Sequence, residues 1–180
     1  MATTPRISSR IQFGQNTRIA TWNIQKKLSS DTEKETLISD LDHYNVDICS
    51  LQETCMKKYC HERTPKGLII GIAPDETLPA HQRYGLGFYV SKQWVPHLWS
   101  TKSISNRISV ITFQLSTESK RRSQLTIINV YAPTTIRTTT NPAETEAFYD
   151  QLHNTISTYE STSMVIITGD FNAKLGQRTH

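Results

Sequence analysis

The chain has 180 residues, of which 36% are hydrophobic and 20% are charged, and its mean hydropathy is -0.47. This length suits one domain, and the longest apolar runs, such as Met164 to Ile167, are far too short to span a membrane. The net charge of +4 and the isoelectric point near 9.0 are compatible with a polyanionic partner, and the odd number of cysteines, 3, argues against a disulfide framework.

The N-terminal segment lacks the apolar core of a secretory signal and carries Thr, Ser and Arg instead. We therefore predict a flexible arm over residues 1–17 of an intracellular protein, followed by a single domain over residues 18–180. Arg18 to Trp22 has the pattern of a first strand. Ser30 and Glu33 form a capping box that predicts the start of a helix.

The helix should run to about Tyr44, and the next apolar run, Val46 to Gln52, predicts a strand parallel to the first because a helix joins them. The expected buried stripe of the helix consists of Leu37, Ile38, Leu41 and Tyr44. Residues 54–83 show no clear pattern, and Tyr84 to Ser91 predicts another strand.

The second half of the chain adds a hairpin, a helix and a last strand. Arg107 to Leu115 and Leu125 to Tyr131 predict the hairpin, and Met164 to Thr168 predicts the last strand. Between them Asn141 and Pro142 indicate a helix start, with a predicted buried stripe of Phe148, Leu152, Ile156 and Tyr159. The element order predicts a mixed-sheet α/β protein covered by helices.

Four predicted strands run directly into polar or aromatic residues: Asn23, Glu53, Tyr131 and Asp170, the last followed by Asn172. Asp and Asn favour turns, which is the simplest explanation of any one strand end. If the strands are parallel in one sheet, however, their carboxyl ends share an edge, where α/β proteins bind ligands. We therefore predict that these residues meet in a site.

The residue types indicate metal-assisted phosphoester hydrolysis. Glu53 is a hard oxygen ligand suited to Mg²⁺, and Asp170 could orient and deprotonate a water for attack on phosphorus. Asn23 and Asn172 can hold a water or a phosphoryl oxygen without adding negative charge. Tyr131 could donate a hydrogen bond to a developing oxyanion.

Basic residues follow the same strand ends and are expected to form a rim for a nucleic-acid backbone, although scattered lysines can also simply keep a surface soluble. Arg107 begins the antiparallel partner of the Tyr131 strand and should lie at the same edge. The other expected rim residues are Lys26, Lys27, Lys57, Lys58, Arg137, Lys174 and Arg178. The run Lys120 to Arg122 is interpreted as a solvated hairpin tip on the far side.

Five short motifs stand in the order typical of the endonuclease/exonuclease/phosphatase superfamily, and residues 18–178 resemble it. The motifs are Thr21-Trp22-Asn23, Leu51-Gln52-Glu53-Thr54, Gly85-Leu86-Gly87-Phe88, Asn129-Val130-Tyr131-Ala132-Pro133 and Gly169-Asp170-Phe171-Asn172. The resemblance implies a DNase-I-like four-layer α/β sandwich, two sheets flanked by helices, and Mg²⁺-dependent phosphodiester cleavage, with Mn²⁺ as an alternative ion.

The resemblance also implies roles for the site residues. Glu53 would bind the metal, Tyr131 would contact the transition state, and Asp170 would activate water. Asn23 and Asn172 would position phosphate or water. The string from Gly169 to Gly176 is most similar to the apurinic-type endonuclease domains of non-LTR retrotransposons, which implies a DNA substrate, a monomer, a nuclear location and a larger polyprotein with a reverse transcriptase.

Two departures from the family pattern lead to further expectations. Gln25 stands where repair enzymes commonly have an acid, which disfavours a repair function. The family's further Asp and its Ser-Asp-His are not found in this sequence, which implies an incomplete N-terminal portion of the fold with slow or no hydrolysis. The alternatives are an inactive remnant that binds nucleic acid or a partner, and a phosphatase of phospholipid or inositol phosphate headgroups. A zinc site at Cys55, Cys60 and His61 is disfavoured, and the three tryptophans are expected in the core.

Overall fold

The structure, a computed structural model, describes residues 17–25, 28, 30–56, 59–72, 85–115, 123–134 and 142–173. These residues contain nine strands and two α-helices. In chain order they are β1 (Ile19–Asn23), α1 (Asp31–His43), β2 (Ile48–Gln52), β3 (Cys60–Arg63), β4 (Gly67–Ile72), β5 (Leu86–Ser91), β6 (Leu98–Ser105), β7 (Ile108–Gln114), β8 (Gln124–Tyr131), α2 (Pro142–Tyr159) and β9 (Ser163–Asp170).

The strands form two mixed sheets. The first has the order β1-β2-β5-β4-β3 and the second has the order β6-β7-β8-β9. Parallel pairing joins β1 to β2 and β8 to β9, and the other pairs are antiparallel. The four strands that carry the candidate residues therefore do not share one sheet. They form two parallel pairs, one in each sheet, which confirms the two-sheet sandwich implied by the family resemblance.

Helix α1 covers the outer face of the first sheet. Both hydrogen bonds of the predicted capping box are present, between Ser30 and Glu33. Leu37 and Leu41 pack against outward-facing Cys49 and Leu51 of β2. The predicted place of Tyr44 in this stripe is wrong, because the helix ends at His43 and the Tyr44 side chain is 65% exposed.

Helix α2 covers the outer face of the second sheet in the same way. Its stripe of Phe148, Leu152, Ile156 and Tyr159 packs against outward-facing residues of β7 and β8, as predicted. Glu144 stands in the first turn, where its carboxylate complements the helix dipole. The predicted cap Asn141, the arm 1–16 and the run Lys120 to Arg122 lie outside the described residues. None of the described helices is long and apolar enough to cross a membrane.

The two sheets face each other across a shared apolar core. Ile48, Phe88, Trp94, Phe113 and Ile127 are among its fully buried members. All three tryptophans were predicted to lie in the core, and this is correct for Trp94 alone. Trp22 and Trp99 are on the surface, 37% and 65% exposed. Apolar side chains fill the space between the two sheets along most of the strand length. Polar contacts between the sheets are made near the carboxyl ends of the strands.

Strands β1 and β9 lie at the edges of their sheets and beside each other. The predicted last strand, Met164 to Thr168, is present within β9. Because β9 lies at a sheet edge, Met164 and Ile167 are more than one-third exposed, and the other residues of this run are half-buried. Three of the observed strands were not predicted from the sequence, namely β3, β4 and β6.

Candidate active site

The carboxyl ends of β1, β2, β8 and β9 converge where the two sheets meet, and four predicted residues form one hydrogen-bonded cluster there. The Asn23 side-chain amide donates from Nδ2 to Glu53 Oε1 (2.9 Å) and to Asp170 Oδ2 (3.1 Å). The Tyr131 hydroxyl donates to the same Glu53 Oε1 (2.8 Å). Residues up to 147 positions apart in the chain are thus in direct contact, as the strand-end comparison predicted.

Both ends of the Asn23 side chain are engaged. Its two amide hydrogens bridge the carboxylates of Glu53 and Asp170, and its Oδ1 accepts from the Gln25 backbone N–H (3.1 Å). A neutral donor between two carboxylates reduces their mutual repulsion without adding charge. Asn23 therefore holds the two acids beside each other in this structure. Its predicted contact with phosphate or water stays a prediction.

Asp170 is oriented through both of its oxygens. Oδ2 accepts from Asn23, and Oδ1 accepts from the backbone N–H of Asn172 (2.9 Å). The Asn172 side chain donates from Nδ2 to the carbonyl oxygen of Ala132 (2.8 Å), the residue after Tyr131. Asn172 thus ties the end of β9 to the end of β8. The amide nitrogen that could contact a phosphoryl oxygen is engaged with the backbone here, and its predicted substrate role stays a prediction.

The backbone leaves ideal strand geometry where the site residues stand. Gln25, Glu53 and Asn172 have φ values of 47°, 54° and 48°, in the left-handed region that non-glycine residues seldom occupy. Each of these residues lies within two positions of the end of a strand: Gln25 after β1, Glu53 after β2 and Asn172 after β9. Such conformations cost free energy and are typical of functional sites that the surrounding fold holds in place.

Gly169 shows why the motif before Asp170 needs a glycine. Its φ is 143°, and a Cβ atom there would lie 2.0 Å from the backbone oxygen of Val130 on β8. Any side chain would therefore push apart the β8–β9 pair that sets Tyr131 opposite Asp170 in register. The glycine lets β8 and β9 approach each other closely at this point.

Arg107 lies at the predicted edge, with its guanidinium beside Tyr131. Its guanidinium donates to the Tyr131 carbonyl oxygen (3.2 Å) and pairs with Glu144 (2.9 Å), and it stands 5.8 Å from the centre of the Tyr131 ring. The Arg107 side chain therefore helps to hold Tyr131 in position. The other rim candidates, Lys26, Lys27, Lys57, Lys58, Arg137, Lys174 and Arg178, lie outside the described residues.

A cavity of about 350 Å³ opens beside the cluster. It is lined on one side by Thr21, Asn23 and Gln52 and on the other by the segment from Gly169 to Ala173. Its two walls belong to the first and the second sheet, respectively. A substrate entering this cavity would reach Asp170 and Asn23 directly.

Two polar contacts behind the cluster join the sheets, and we call these four residues the polar seam: Ser50 with Thr168, and Gln52 with Asn129. The hydroxyls of Ser50 and Thr168 are 2.6 Å apart, and Gln52 Nε2 donates to Asn129 Oδ1 (2.7 Å). The sequence analysis assigned no role to Gln52 or Asn129, although both stand inside its motifs. The available signal was their position: both stand in buried strands rich in apolar residues, where a carboxamide needs a polar partner.

The cysteines contribute no ligand set at this site. Cys49 is buried behind β2, and burial raises the pKa of its thiol to about 12, which keeps it protonated. In the described part of the chain, no three side chains of His, Cys, Asp or Glu are grouped to hold a metal, Cys55, Cys60 and His61 included.

The chain belongs to the Endonuclease/Exonuclease/phosphatase family, whose match covers residues 20–179. No curated protein sequence matches it significantly. Similar folds include D. rerio TDP2 complexed with a single-strand DNA product (15% identity, TM-score 0.58) and the endonuclease domain of TRAS1, a telomere-specific non-LTR retrotransposon (14%, 0.52). The Xenopus laevis APE2 catalytic domain is also similar (17%, 0.60).

These similarities cover 86% to 88% of this chain but only 58% to 61% of the three solved chains. At such low sequence identities they show a shared DNase-I-like fold, and fold alone does not define a substrate. The family resemblance seen in the sequence and its α/β sandwich are confirmed.

Proposed function

We propose that the chain forms part of an endonuclease that hydrolyses phosphodiester bonds of DNA with the help of a divalent metal ion. The observation that carries this proposal is the hydrogen-bonded cluster of Asn23, Glu53, Tyr131 and Asp170, drawn from four strands of both sheets. It brings together a metal-binding carboxylate, a second carboxylate for water, and a phenol, which are the groups that such a reaction needs.

Glu53 is suited to hold the metal. Both hydrogen bonds to its carboxylate reach Oε1, and within the described residues Oε2 accepts none. Mg²⁺ prefers oxygen ligands and keeps several waters, so one or two carboxylates are sufficient. When bound, the ion would supply charge stabilisation for a phosphoryl oxygen. Asp170, bridged to Glu53 through Asn23, is the second acid within reach of the site.

Asp170 is the residue we assign to water activation. Its oxygens accept from Asn23 and from the Asn172 backbone, so the carboxylate has a fixed orientation at the cavity wall. A carboxylate within hydrogen-bond reach of a water can accept its proton as the water attacks phosphorus. Tyr131, held by Glu53 and supported by Arg107, would donate a hydrogen bond to the developing oxyanion.

DNA is the proposed substrate, and nicking of a retroelement target site is the proposed biological reaction. Support comes from the resemblance of the Gly169 to Gly176 string and from the structural likeness to a retrotransposon endonuclease domain. The nuclear location, the monomeric state and the reverse-transcriptase polyprotein remain predictions of the same resemblance, and the basic rim remains a prediction from the order of strands and basic residues in the sequence. Because the chain spans about 60% of its structural relatives, we expect its own hydrolysis to be slow.

The direct test is nicking of supercoiled plasmid by the purified chain with Mg²⁺. We expect slow nicking that chelation of the metal abolishes. Glu53→Gln and Asp170→Asn should each reduce the rate by about 10²-fold or more, since each removes a group that acts on the transition state. Glu146→Gln and Asp150→Asn, exposed acids on α2, are matched controls and should nick like the parent.

Other outcomes would favour the alternative functions. Salt-sensitive retention on DNA without nicking by the parent would favour a binding remnant. Hydrolysis of a phosphoinositide but not of plasmid would favour a phosphatase. Nicking that survives in both Glu53→Gln and Asp170→Asn would contradict the proposed site.

A further inference from the structure

Behind the proposed catalytic cluster, two hydrogen-bonded carboxamides, Asn129 and Gln52, connect four strands at one point. The Asn129 side chain on β8 is completely buried and uses its oxygen and both of its amide hydrogens. Oδ1 accepts from Gln52 Nε2 (2.7 Å), and Nδ2 donates to the backbone oxygens of Leu51 and Gly87 (both 3.0 Å). Gln52 also donates to Thr21 Oγ1 on β1 (3.0 Å).

The two carboxamides are neighbours of catalytic residues along the chain. Gln52 directly precedes Glu53, whose left-handed backbone is not fixed by regular strand geometry. Asn129 stands two residues before Tyr131 on the same strand, so both side chains point to the same face of the sheet. The hydrogen bond from Tyr131 to Glu53 crosses between the sheets one step beyond the bond from Gln52 to Asn129.

On the basis of the proposed function, we propose that Asn129 and Gln52 are positioning residues that set the contact between Tyr131 and Glu53. Away from the polar seam and the cluster, the two sheets are held by apolar packing, which is non-directional and tolerates small shifts. A hydrogen-bonded carboxamide pair has a fixed geometry and prevents the sheets from sliding at this point. Reactions lose rate steeply when a catalytic group is displaced by about 1 Å.

The seam itself provides a matched comparison. The Ser50 to Thr168 contact also crosses the sheets and is partly buried, but it is one step further from Glu53 and Tyr131. If bridging the sheets were only structural, removing either bridge would have similar consequences. A positioning function requires that only the Gln52 to Asn129 bridge affects the catalytic contact.

The first test is crystallographic and does not depend on activity. In Asn129→Leu, a substitution of similar volume, we expect the Tyr131 hydroxyl to leave Glu53 Oε1, with a separation beyond hydrogen-bond range. In Ser50→Ala the contact of 2.8 Å should remain. An unchanged Tyr131 to Glu53 contact in Asn129→Leu would overturn the positioning role, whether or not the chain is a nuclease. If Asn129→Leu does not fold, Gln52→Met removes the same bridge from the other side and is read in the same way.

The second test is kinetic and uses plasmid nicking. We expect Asn129→Leu to lower kcat by about 10- to 100-fold with KM within about twofold, because misplacement affects the transition state more than substrate binding. Ser50→Ala should keep kcat within about twofold of the parent. In a Tyr131→Phe background most of the Asn129→Leu effect should vanish, since the contact it positions is already absent. Full additivity of the two substitutions would contradict the proposal, whereas absence of nicking by the parent would count against the proposed function alone.

Discussion

The space between the two sheets has an apolar half and a polar half, and the same strands build both. Along β8 the inward side chains change from Leu125 and Ile127 to Asn129 and Tyr131. Along β2 they change from Ile48 to Ser50 and Gln52, and then the chain reaches Glu53. The apolar half stabilises the sandwich by burial, and the polar half fixes directions through hydrogen bonds.

This difference explains how a site of precise geometry can stand on edge strands. Strands β1 and β9 each lack a neighbour on one side within the described sheets, which gives them little support from sheet pairing. The polar seam supplies contacts between sheets at the point where those strands end. Stability and positioning are therefore expected to respond to different substitutions.

The largest expected effect is in the apolar half. Phe88→Ala removes a fully buried ring from the core between the sheets. It should lower the free energy of unfolding by about 3–5 kcal/mol, from lost burial and the cavity that remains. Urea denaturation measures this. Phe171→Ala, with the ring 37% exposed, is the control and should cost much less; equal losses would show that the core does not lie between the sheets.

Gly169→Ala tests the boundary between the halves. The new Cβ would meet the Val130 backbone, and the φ of 143° is unfavourable for any residue with a side chain. We expect a loss of about 3 kcal/mol in unfolding free energy, since backbone strain of this kind costs about 1–3 kcal/mol before any clash is relieved. Gly71→Ala is the control, because its nearest neighbour is the flexible end of the Met56 side chain. A tolerated Gly169→Ala would mean that β8 and β9 are further apart.

Tyr131→Phe tests the polar half. It removes only the hydroxyl that donates to Glu53. We expect nicking to fall by about 10²-fold, the size typical of a lost oxyanion donor, while the unfolding free energy changes by about 1 kcal/mol. Tyr89→Phe, which removes a remote hydroxyl that donates to the Lys66 carbonyl oxygen, should change stability to a similar extent and leave nicking intact. If Tyr131→Phe and Tyr89→Phe reduced nicking equally, the effect of Tyr131 on activity would not be specific to the polar half.

The smallest expected effect comes from His97, which is buried beside Trp94 at the edge of the apolar core. Burial lowers the pKa of His97 below its ordinary 6.5. The unfolded chain therefore binds a proton more readily as the pH falls below 6.5, so stability is full above that pH and declines below it.

From pH 7.5 to pH 5.5 we expect the parent to lose more stability than His97→Gln, which stays neutral throughout. Urea denaturation at the two pH values gives the difference. Asn154→Gln on the exposed face of α2, which exchanges one uncharged carboxamide for another, is the control and should keep the slope of the parent. Identical pH slopes in the parent and His97→Gln would show that His97 is not buried in a neutral form.

The sequence predicts the parts of the fold that repeat a local rule. The capping box at Ser30, the stripe around Phe148 and the apolar runs of β2 and β8 carry their own signals. Strands β3 and β6 are edge strands with polar, half-exposed residues, so they lack the alternation that marks a strand. Strand β4 has a short apolar run that fits a strand or a buried helix equally well.

The candidate site is predictable because its residues stand at strand ends, where sequence position alone indicates the location. The division of these strands between two sheets is not predictable in that way, since no local pattern states which parallel pair is adjacent to which. The pairing of Gln52 with Asn129 is unpredictable for the same reason. The two residues are 77 positions apart in the chain, and only the packing of one sheet on the other brings them together.

The most direct test of the central claim is a crystal structure of the chain with Mn²⁺, an ion that suits the same oxygen ligands as Mg²⁺ and is visible by anomalous scattering. We predict an anomalous peak within about 2.5 Å of Glu53 Oε2, with Asp170 and Asn23 beside it and the Tyr131 contact retained. The peak should be absent in Glu53→Gln. A metal bound away from Glu53, or Glu53 and Asp170 on separate sides of the molecule, would contradict the account.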